Sequence, residues 1–134
     1  MTRHLQYASD YPFPAEQIFQ AGIKPEYIDA EAVYLKHEEA KILDITQDSP
    51  AGGRLKMTYK VETSLPNWAK KILPSRNTIT ESHTWHPASA EGSRTYTFDV
   101  AIATVPAKAK GSATITPTGD SSCRVETDLS LIHI

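Results

Sequence analysis

Apolar and polar residues alternate with a period of two along most of the chain after residue 39. This period is typical of β-strands, in which successive side chains point to opposite faces of a sheet. The first residues alternate in the same way, with Leu5 and Tyr7 on one side. The candidate strands are this first one and six more, at about 39–47, 54–63, 77–86, 93–105, 108–117 and 123 to the end.

Most of the links between these strands are short and rich in proline, glycine and serine, as in residues 48–53 and 117–122. Such links join antiparallel neighbours, because a parallel pair needs a longer crossover connection. The pattern therefore predicts a seven-stranded antiparallel sheet.

Two short helices are predicted between the first strand and the other six. The first begins after Pro14 and ends at Gly22, and Pro25 begins the second. Proline suits the first turn of a helix and glycine its end, so both segments have recognisable boundaries. The residues expected to face the core are Ile18 and Phe19 on the first helix and Ile28, Ala32 and Leu35 on the second.

One link is longer than the others and has an amphipathic pattern. In residues 65–74, Trp68 and Ile72 are four residues apart, while Lys70 and Lys71 point away from them. This pattern predicts a helix of one or two turns that forms a flap over the sheet, with Trp68 directed toward it.

The predicted sheet has two unlike faces, one solvated and one covered. On the strand at 108–117 the covered positions are small, with Ala109, Gly111 and Ala113 beside larger aromatic neighbours. Small residues there leave room either for a closely packed helix or for a cavity. The expected covered positions include Met57, Tyr59, Tyr96, Phe98 and Val100, and the expected solvated ones include Lys56, Lys60, Thr97 and Asp99.

The length and the net charge of the chain limit the classes of protein to which it can belong. The 134 residues are enough for one domain with its own core. The net charge of -2 gives no broad electrostatic reason to bind nucleic acid or an anionic membrane. The apolar runs are too short to cross a bilayer, and the start lacks the apolar core of a signal peptide. We therefore expect a cytoplasmic protein without integral membrane association.

Several kinds of chemistry lack support in the sequence. Cys123 is the single cysteine, so it cannot form an internal disulfide, and no histidine beside it could activate the thiol. We expect it to be buried and inert. Gly52 and Gly53 lie between two strands, without the helix N-terminus that a phosphate-binding loop requires. We expect a hairpin there and no bound cofactor.

The densest group of reactive side chains lies on the strand at 77–86. Glu81, His83 and Trp85 share one face, whereas His86 points to the other, so the two histidines cannot chelate one metal without a bulge. No metal site is predicted. If Ile79 and Trp85 mark the inner face, Glu81 and His83 could orient a ligand or act as acid and base. The alternatives are that both are solvated, or that they simply bond to each other.

The order of one strand, two short helices and six antiparallel strands resembles the START-like helix-grip superfamily, also called SRPBCC. Residues 11–19 (YPFPAEQIF), 25–28 (PEYI) and 77–85 (NTITESHTW) are similar to an uncharacterised bacterial branch of it, a domain of unknown function. The resemblance covers nearly all of residues 3–128. It implies an α+β fold in which a curved seven-stranded sheet wraps around a long C-terminal helix, with an elongated apolar cavity between them.

The resemblance implies three possible functions. The first is a carrier or sensor that binds a lipid or another apolar small molecule in a cavity. The second is an enzyme similar to the cyclases and aromatases, with Glu81 and His83 as acid and base. The third is an interaction domain similar to the superfamily's co-chaperones. The residues expected to line the pocket are Met57, Tyr59, Trp68, Ile79, Trp85, Tyr96, Phe98 and Val100.

The end of the sequence lacks the long C-terminal helix of the superfamily. Residues 129–134 (LSLIHI) match the peptide that a common transposase sequencing adaptor encodes. We therefore expect an incomplete, truncated START-like domain over residues 1–128 and adaptor read-through over 129–134. A genuine apolar end to the last strand is the alternative.

Overall fold

A computed structural model of the chain describes residues 2–48, 52–62, 67, 75–103 and 107–133. The predicted α+β architecture is confirmed, and these described residues include seven antiparallel strands in one curved sheet and two short helices. The elements are β1 Thr2–Tyr11, α1 Ala15–Ile23, α2 Pro25–Tyr34, β2 Glu38–Asp48, β3 Gly52–Glu62, β4 Arg76–Trp85, β5 Arg94–Ile102, β6 Ala107–Gly119 and β7 Ser122–His133.

The sheet has the order β1-β7-β6-β5-β4-β3-β2, so each strand from β2 to β7 pairs with its neighbour in sequence. β1 instead pairs with the last strand, from Thr2 opposite Ile132 to Tyr11 opposite Cys123. The predicted hairpin at Gly52 is present, since Asp48 pairs with Gly52 at the start of β3. The adaptor interpretation of residues 129–134 stays a prediction, because the pairing of β7 does not test their origin.

Helix α1 packs on one face of the sheet and forms the core with it. Ala15, Phe19 and Ile23 are spaced four residues apart, so they form a single stripe, and all three are buried. The strand residues in the same buried cluster are Leu55, Trp85, Ile115 and Cys123. We call the face that carries these residues the concave face.

Helix α2 is less deeply buried than the sequence predicts. Ile28 is buried and Ala32 is partly buried, but Leu35 is 47% exposed, so the prediction of a core position for Leu35 is wrong. The helix has ended by this point: the His37 N–H donates to the Ala32 carbonyl at 2.8 Å, and Lys36 has a left-handed backbone with φ 59°. This helix end turns the side chain of Leu35 away from the sheet.

The side chain of Cys123 was expected to be buried and inert. Cys123 is buried as predicted, and burial together with Asp10 raises the pKa of its thiol, which keeps it protonated and unreactive. The predicted flap at 65–74, including Trp68, lies outside the described residues apart from Asn67. In the ranges that the structure covers, no helix combines the length and the apolar character needed to cross a membrane.

Candidate functional site

Strand register decides which side chains share the concave face, because residues directly opposite one another point to the same side. One row across the sheet contains Leu55, His83 and Phe98, and the next contains Met57, Glu81 and Val100. Leu55 belongs to the buried core under α1, so both rows lie on the concave face. The predicted pocket residues found on this face are Met57, Tyr59, Ile79, Trp85, Tyr96, Phe98 and Val100.

A hydrogen-bonded group of polar side chains lies among these apolar residues. The Tyr59 hydroxyl donates to Glu81 Oε2 at 2.6 Å, and His83 Nε2 lies 3.3 Å from Glu81 Oε1. We call Tyr59, Glu81 and His83 the polar cluster. The side chains of Glu81 and His83 are each 18% exposed, so both the inward orientation and the mutual bond considered from the sequence are present together.

The cluster holds Glu81 in its ionised form. Burial by itself raises the pKa of this carboxyl, but hydrogen bonds from His83 and Tyr59 outweigh that effect and the pKa lies below its ordinary value. Burial and the bond to Glu81 also raise the pKa of Tyr59, which keeps its hydroxyl protonated. An ionised carboxylate only accepts hydrogen bonds, so Tyr59 and His83 are both donors. A neutral His83 therefore carries its proton on Nε2 and leaves Nδ1 as an acceptor.

The low pKa of Glu81 predicts a specific pH dependence of stability. Because this pKa is lower in the folded than in the unfolded chain, ionised Glu81 stabilises the fold above the unfolded value. That contribution is lost as pH falls through the folded pKa. The melting temperature of Glu81→Gln should therefore differ less between about pH 7 and about pH 3 than that of the parent chain.

The control for this measurement is Asp99→Asn, which removes an exposed carboxylate from the opposite face of β5. It should retain the parent's difference in melting temperature between the two pH values. If Glu81→Gln keeps the full difference as well, the direction of the Glu81 pKa shift is wrong.

His37 adds a second imidazole next to the cluster. Its ring stacks on that of Tyr59 with centroids 3.8 Å apart and planes within 6°. The chain that carries it is shaped by two left-handed residues without a glycine, Lys36 at φ 59° and Glu39 at φ 51°. Such residues are uncommon outside turns and functional sites. The sequence pattern does not reveal His37, because this residue lies between α2 and β2 while its partner Tyr59 lies on β3.

Aromatic rings lie beside the polar cluster. We call those of Trp85, Tyr96 and Phe98 the aromatic wall. Tyr96 stacks on Trp85 with centroids 4.2 Å apart, and it also lies 5.8 Å from the ring of His83 and 5.9 Å from that of Phe98. Burial raises the pKa of Tyr96, so its hydroxyl is neutral. The polar cluster thus has π faces on the β5 side.

A small recess lies on the other side of Tyr59, between α2, β2 and β3. Its volume is about 20 Å³, which is room for one water molecule but not for a ligand. The residues that line it include Ile28, Asp29, Glu31, His37, Lys41, Met57 and Tyr59.

Beyond the aromatic rings, the concave face continues across β6 and β7 to β1. The row that contains His83 and Phe98 continues through Gly111 and Leu129 to Leu5 on β1. Leu5 is 47% exposed there, and Leu129 is partly buried. We call the part of this row from Phe98 to Leu5, together with Val100 and Leu131 beside it, the apolar trough. Apolar surface that remains partly exposed over several neighbouring residues is a feature of ligand-binding grooves and interaction sites.

Metal chemistry has no support in the described ranges, where no three or more histidine, cysteine, aspartate or glutamate side chains are grouped so that they could hold an ion. His86 is exposed beyond the end of β4, and its carbonyl accepts a hydrogen bond from Arg94 at 2.9 Å. It is therefore separate from His83.

Arg94 is a buried cation that the sequence analysis missed. It is 3% exposed, its guanidinium lies 3.8 Å from the centre of the Phe19 ring, and it pairs with Glu16 at 3.3 Å. The sequence does indicate this burial, because Arg94 precedes Tyr96 by two residues and therefore shares the inner face of β5. These contacts tie α1 to the sheet rather than to a ligand.

The chain matches one protein family, described as "Protein of unknown function (DUF2505)", over residues 6–131. No curated protein matches it in sequence.

Three solved structures show a similar fold. The Zhui aromatase/cyclase from Streptomyces sp. R1128 is 11% identical with a TM-score of 0.61, and the alignment covers 98% of this chain and 68% of that one. The human StarD13 (DLC2) lipid transfer and protein localization domain is 13% identical, with a TM-score of 0.63 and coverage of 96% and 61%. Norcoclaurine synthase from Thalictrum flavum is 14% identical, with a TM-score of 0.50 and coverage of 98% and 69%. At these identities the likeness concerns the fold.

Proposed function

This chain belongs to the DUF2505 family and has the START-like helix-grip fold, and on that premise we propose that it binds a lipid or another largely apolar small molecule on its concave face. The observation that carries the proposal is the mostly buried polar cluster, which contacts the aromatic wall through His83 and adjoins the apolar trough. A mostly apolar surface with a few convergent polar groups is the usual composition of a small-molecule site. A cytoplasmic location remains part of the proposal.

The aromatase/cyclase and the lipid transfer domain support the proposal, since one is an enzyme and the other a lipid transfer domain with a similar fold. The pocket residues proposed for the present chain are those of the concave face, with Phe98 and Val100 at the centre of the sheet. Trp68 stays a predicted member of the set.

Binding of the neutral fluorescent dye Nile red to the full chain tests the proposal. Phe98→Glu places a charge in the apolar trough and should weaken Nile red binding by about tenfold or more, because an apolar ligand cannot compensate a desolvated carboxylate. Thr97→Glu is the matched control, since the neighbouring residue points to the opposite face of β5 and is exposed. It should bind the dye as the parent does.

Equal dye affinities in the two variants, with unchanged circular dichroism, would contradict binding on the concave face. Mass spectrometry of an organic extract from the purified chain provides an independent readout, and we expect an apolar molecule to be recovered from the parent but not from Phe98→Glu.

An enzyme remains a second candidate because of one observation, the bond between Glu81 and His83. It leaves Nδ1 of a neutral His83 free to accept a proton, as in general base catalysis, with Glu81 as the group that orients the ring. His83→Ala should then abolish turnover of the extracted molecule while Nile red binding is retained. If the parent leaves that molecule chemically unchanged, catalysis on it is excluded.

A further inference from the structure

We propose that the polar cluster selects an organic cation, so that the ligand is an amphipathic amine with an aromatic or aliphatic body. This inference rests on the proposed function and narrows it, because it distinguishes amines from alcohols, carbonyl compounds and fatty acids. It follows from the hydrogen-bonding capacity of the cluster, from its charge and from the rings around it.

The hydrogen-bonding groups of the cluster that remain available to a ligand are acceptors. The hydroxyl proton of Tyr59 is used on Glu81, so the hydroxyl oxygen offers only lone pairs. Both carboxylate oxygens of Glu81 can accept further bonds, and a neutral His83 offers Nδ1. A ligand that meets these atoms must therefore bring donors. An ammonium group has up to three N–H donors and no acceptor.

The charge of the cluster favours the same ligand. In the described part of the chain, His83 is the basic side chain in contact with Glu81, so the cluster carries a net negative charge when that imidazole is neutral. The adjoining recess has two acidic residues, Asp29 and Glu31, against Lys41 and the imidazole of His37. A ligand carboxylate would meet both like charge and unpaired acceptors, which disfavours a free fatty acid.

The aromatic wall adds a third contribution. Cations are attracted to the faces of aromatic rings, and this attraction increases when the site is partly desolvated. Tyr96 lies within 6 Å of two members of the site, with centroid distances of 5.8 Å to His83 and 5.9 Å to Phe98. A cation bound at Glu81 would thus lie on the same face of the sheet as these rings, and its apolar body could extend into the apolar trough.

Three ligands that share one aromatic body test the inference: naphthylethylamine, naphthylethanol and naphthylacetate. Their affinities for the full chain are measured by calorimetry at about pH 8, where histidine side chains are generally neutral. The amine should bind about tenfold more tightly than the alcohol, and the carboxylate should bind most weakly. In Glu81→Gln, the amine should fall to the level of the alcohol, while the affinity for the alcohol stays within about twofold of the parent value.

Asp99→Asn is the matched control, since it removes the same charge from an exposed position on the opposite face and should keep the preference for the amine. Equal affinities of the parent chain for amine and alcohol would overturn the inference and leave the proposed function intact. Retention of the preference in Glu81→Gln would also overturn it. If neither these ligands nor Nile red bind, the proposed function fails as well.

Discussion

Replacing Phe19 with alanine is expected to lower the free energy of unfolding by about 3 to 5 kcal/mol. The ring is fully buried and packs edge-on against Trp85, with centroids 5.2 Å apart at an interplanar angle of 67°. It is also the aromatic partner of the buried Arg94 guanidinium, 3.8 Å away, so its loss leaves both a cavity and a less well compensated cation. Urea denaturation followed by circular dichroism measures the change.

The matched control is Phe13→Ala, the same substitution at a ring that is 43% exposed. It removes less buried apolar surface and should cost about 1 kcal/mol or less. A loss in Phe19→Ala no larger than that in Phe13→Ala would show that α1 is not anchored to the sheet through this ring. Since domains of this size have net stabilities of about 5 to 15 kcal/mol, the expected loss is a large share of the total.

Gly111→Ala is expected to destabilise the protein by about 3 kcal/mol, at the upper end of the usual cost of overpacking. A Cβ at this position would lie 2.0 Å from the backbone carbonyl oxygen of Asp128 on β7. That atom belongs to the neighbouring strand and cannot rotate away, so β6 and β7 would have to separate. Gly111 also lies in the apolar trough between Phe98 and Leu129, and we expect Nile red binding to weaken along with stability.

Gly119→Ala on the same strand is the control for this substitution. Its added Cβ would meet the side-chain oxygen of Ser122 at 3.1 Å, which can rotate aside. Its stability should remain within about 0.5 kcal/mol of the parent value, as for most surface substitutions. A Gly111→Ala chain as stable as Gly119→Ala would contradict the close approach of β6 and β7.

The proposed ligand site depends on the same packing. Trp85 joins the two regions, since it contacts Phe19 of the core and stacks on Tyr96 of the aromatic wall. The wall therefore has a rigid support on the side of α1 and an open side toward the apolar trough. This arrangement holds the polar cluster in a defined geometry while leaving space for the body of a ligand.

Alternation along single strands was enough to predict the seven strands, their antiparallel arrangement and the faces of the strands that carry Tyr59 and Phe98. The reason is local: the period of two is a property of one strand, and short links restrict a strand to an antiparallel neighbour. The alternation places Tyr59 and Phe98 on the covered face, but it leaves the face of Glu81 open, since a register inverted near the strand end would put Glu81 in solvent. Helical spacing wrongly predicted a core position for Leu35, because spacing alone does not show where a helix ends.

Contacts between distant segments were decided by the tertiary structure alone. The pairing of β1 with β7 brings Leu5 beside Leu129, and no local pattern specifies this partner. The register of β3 against β4 brings Tyr59 within hydrogen-bonding distance of Glu81, and the end of α2 places His37 on the ring of Tyr59. Periodicity specifies the direction in which a side chain points but not the atoms that it meets, since those depend on register and packing across the whole sheet.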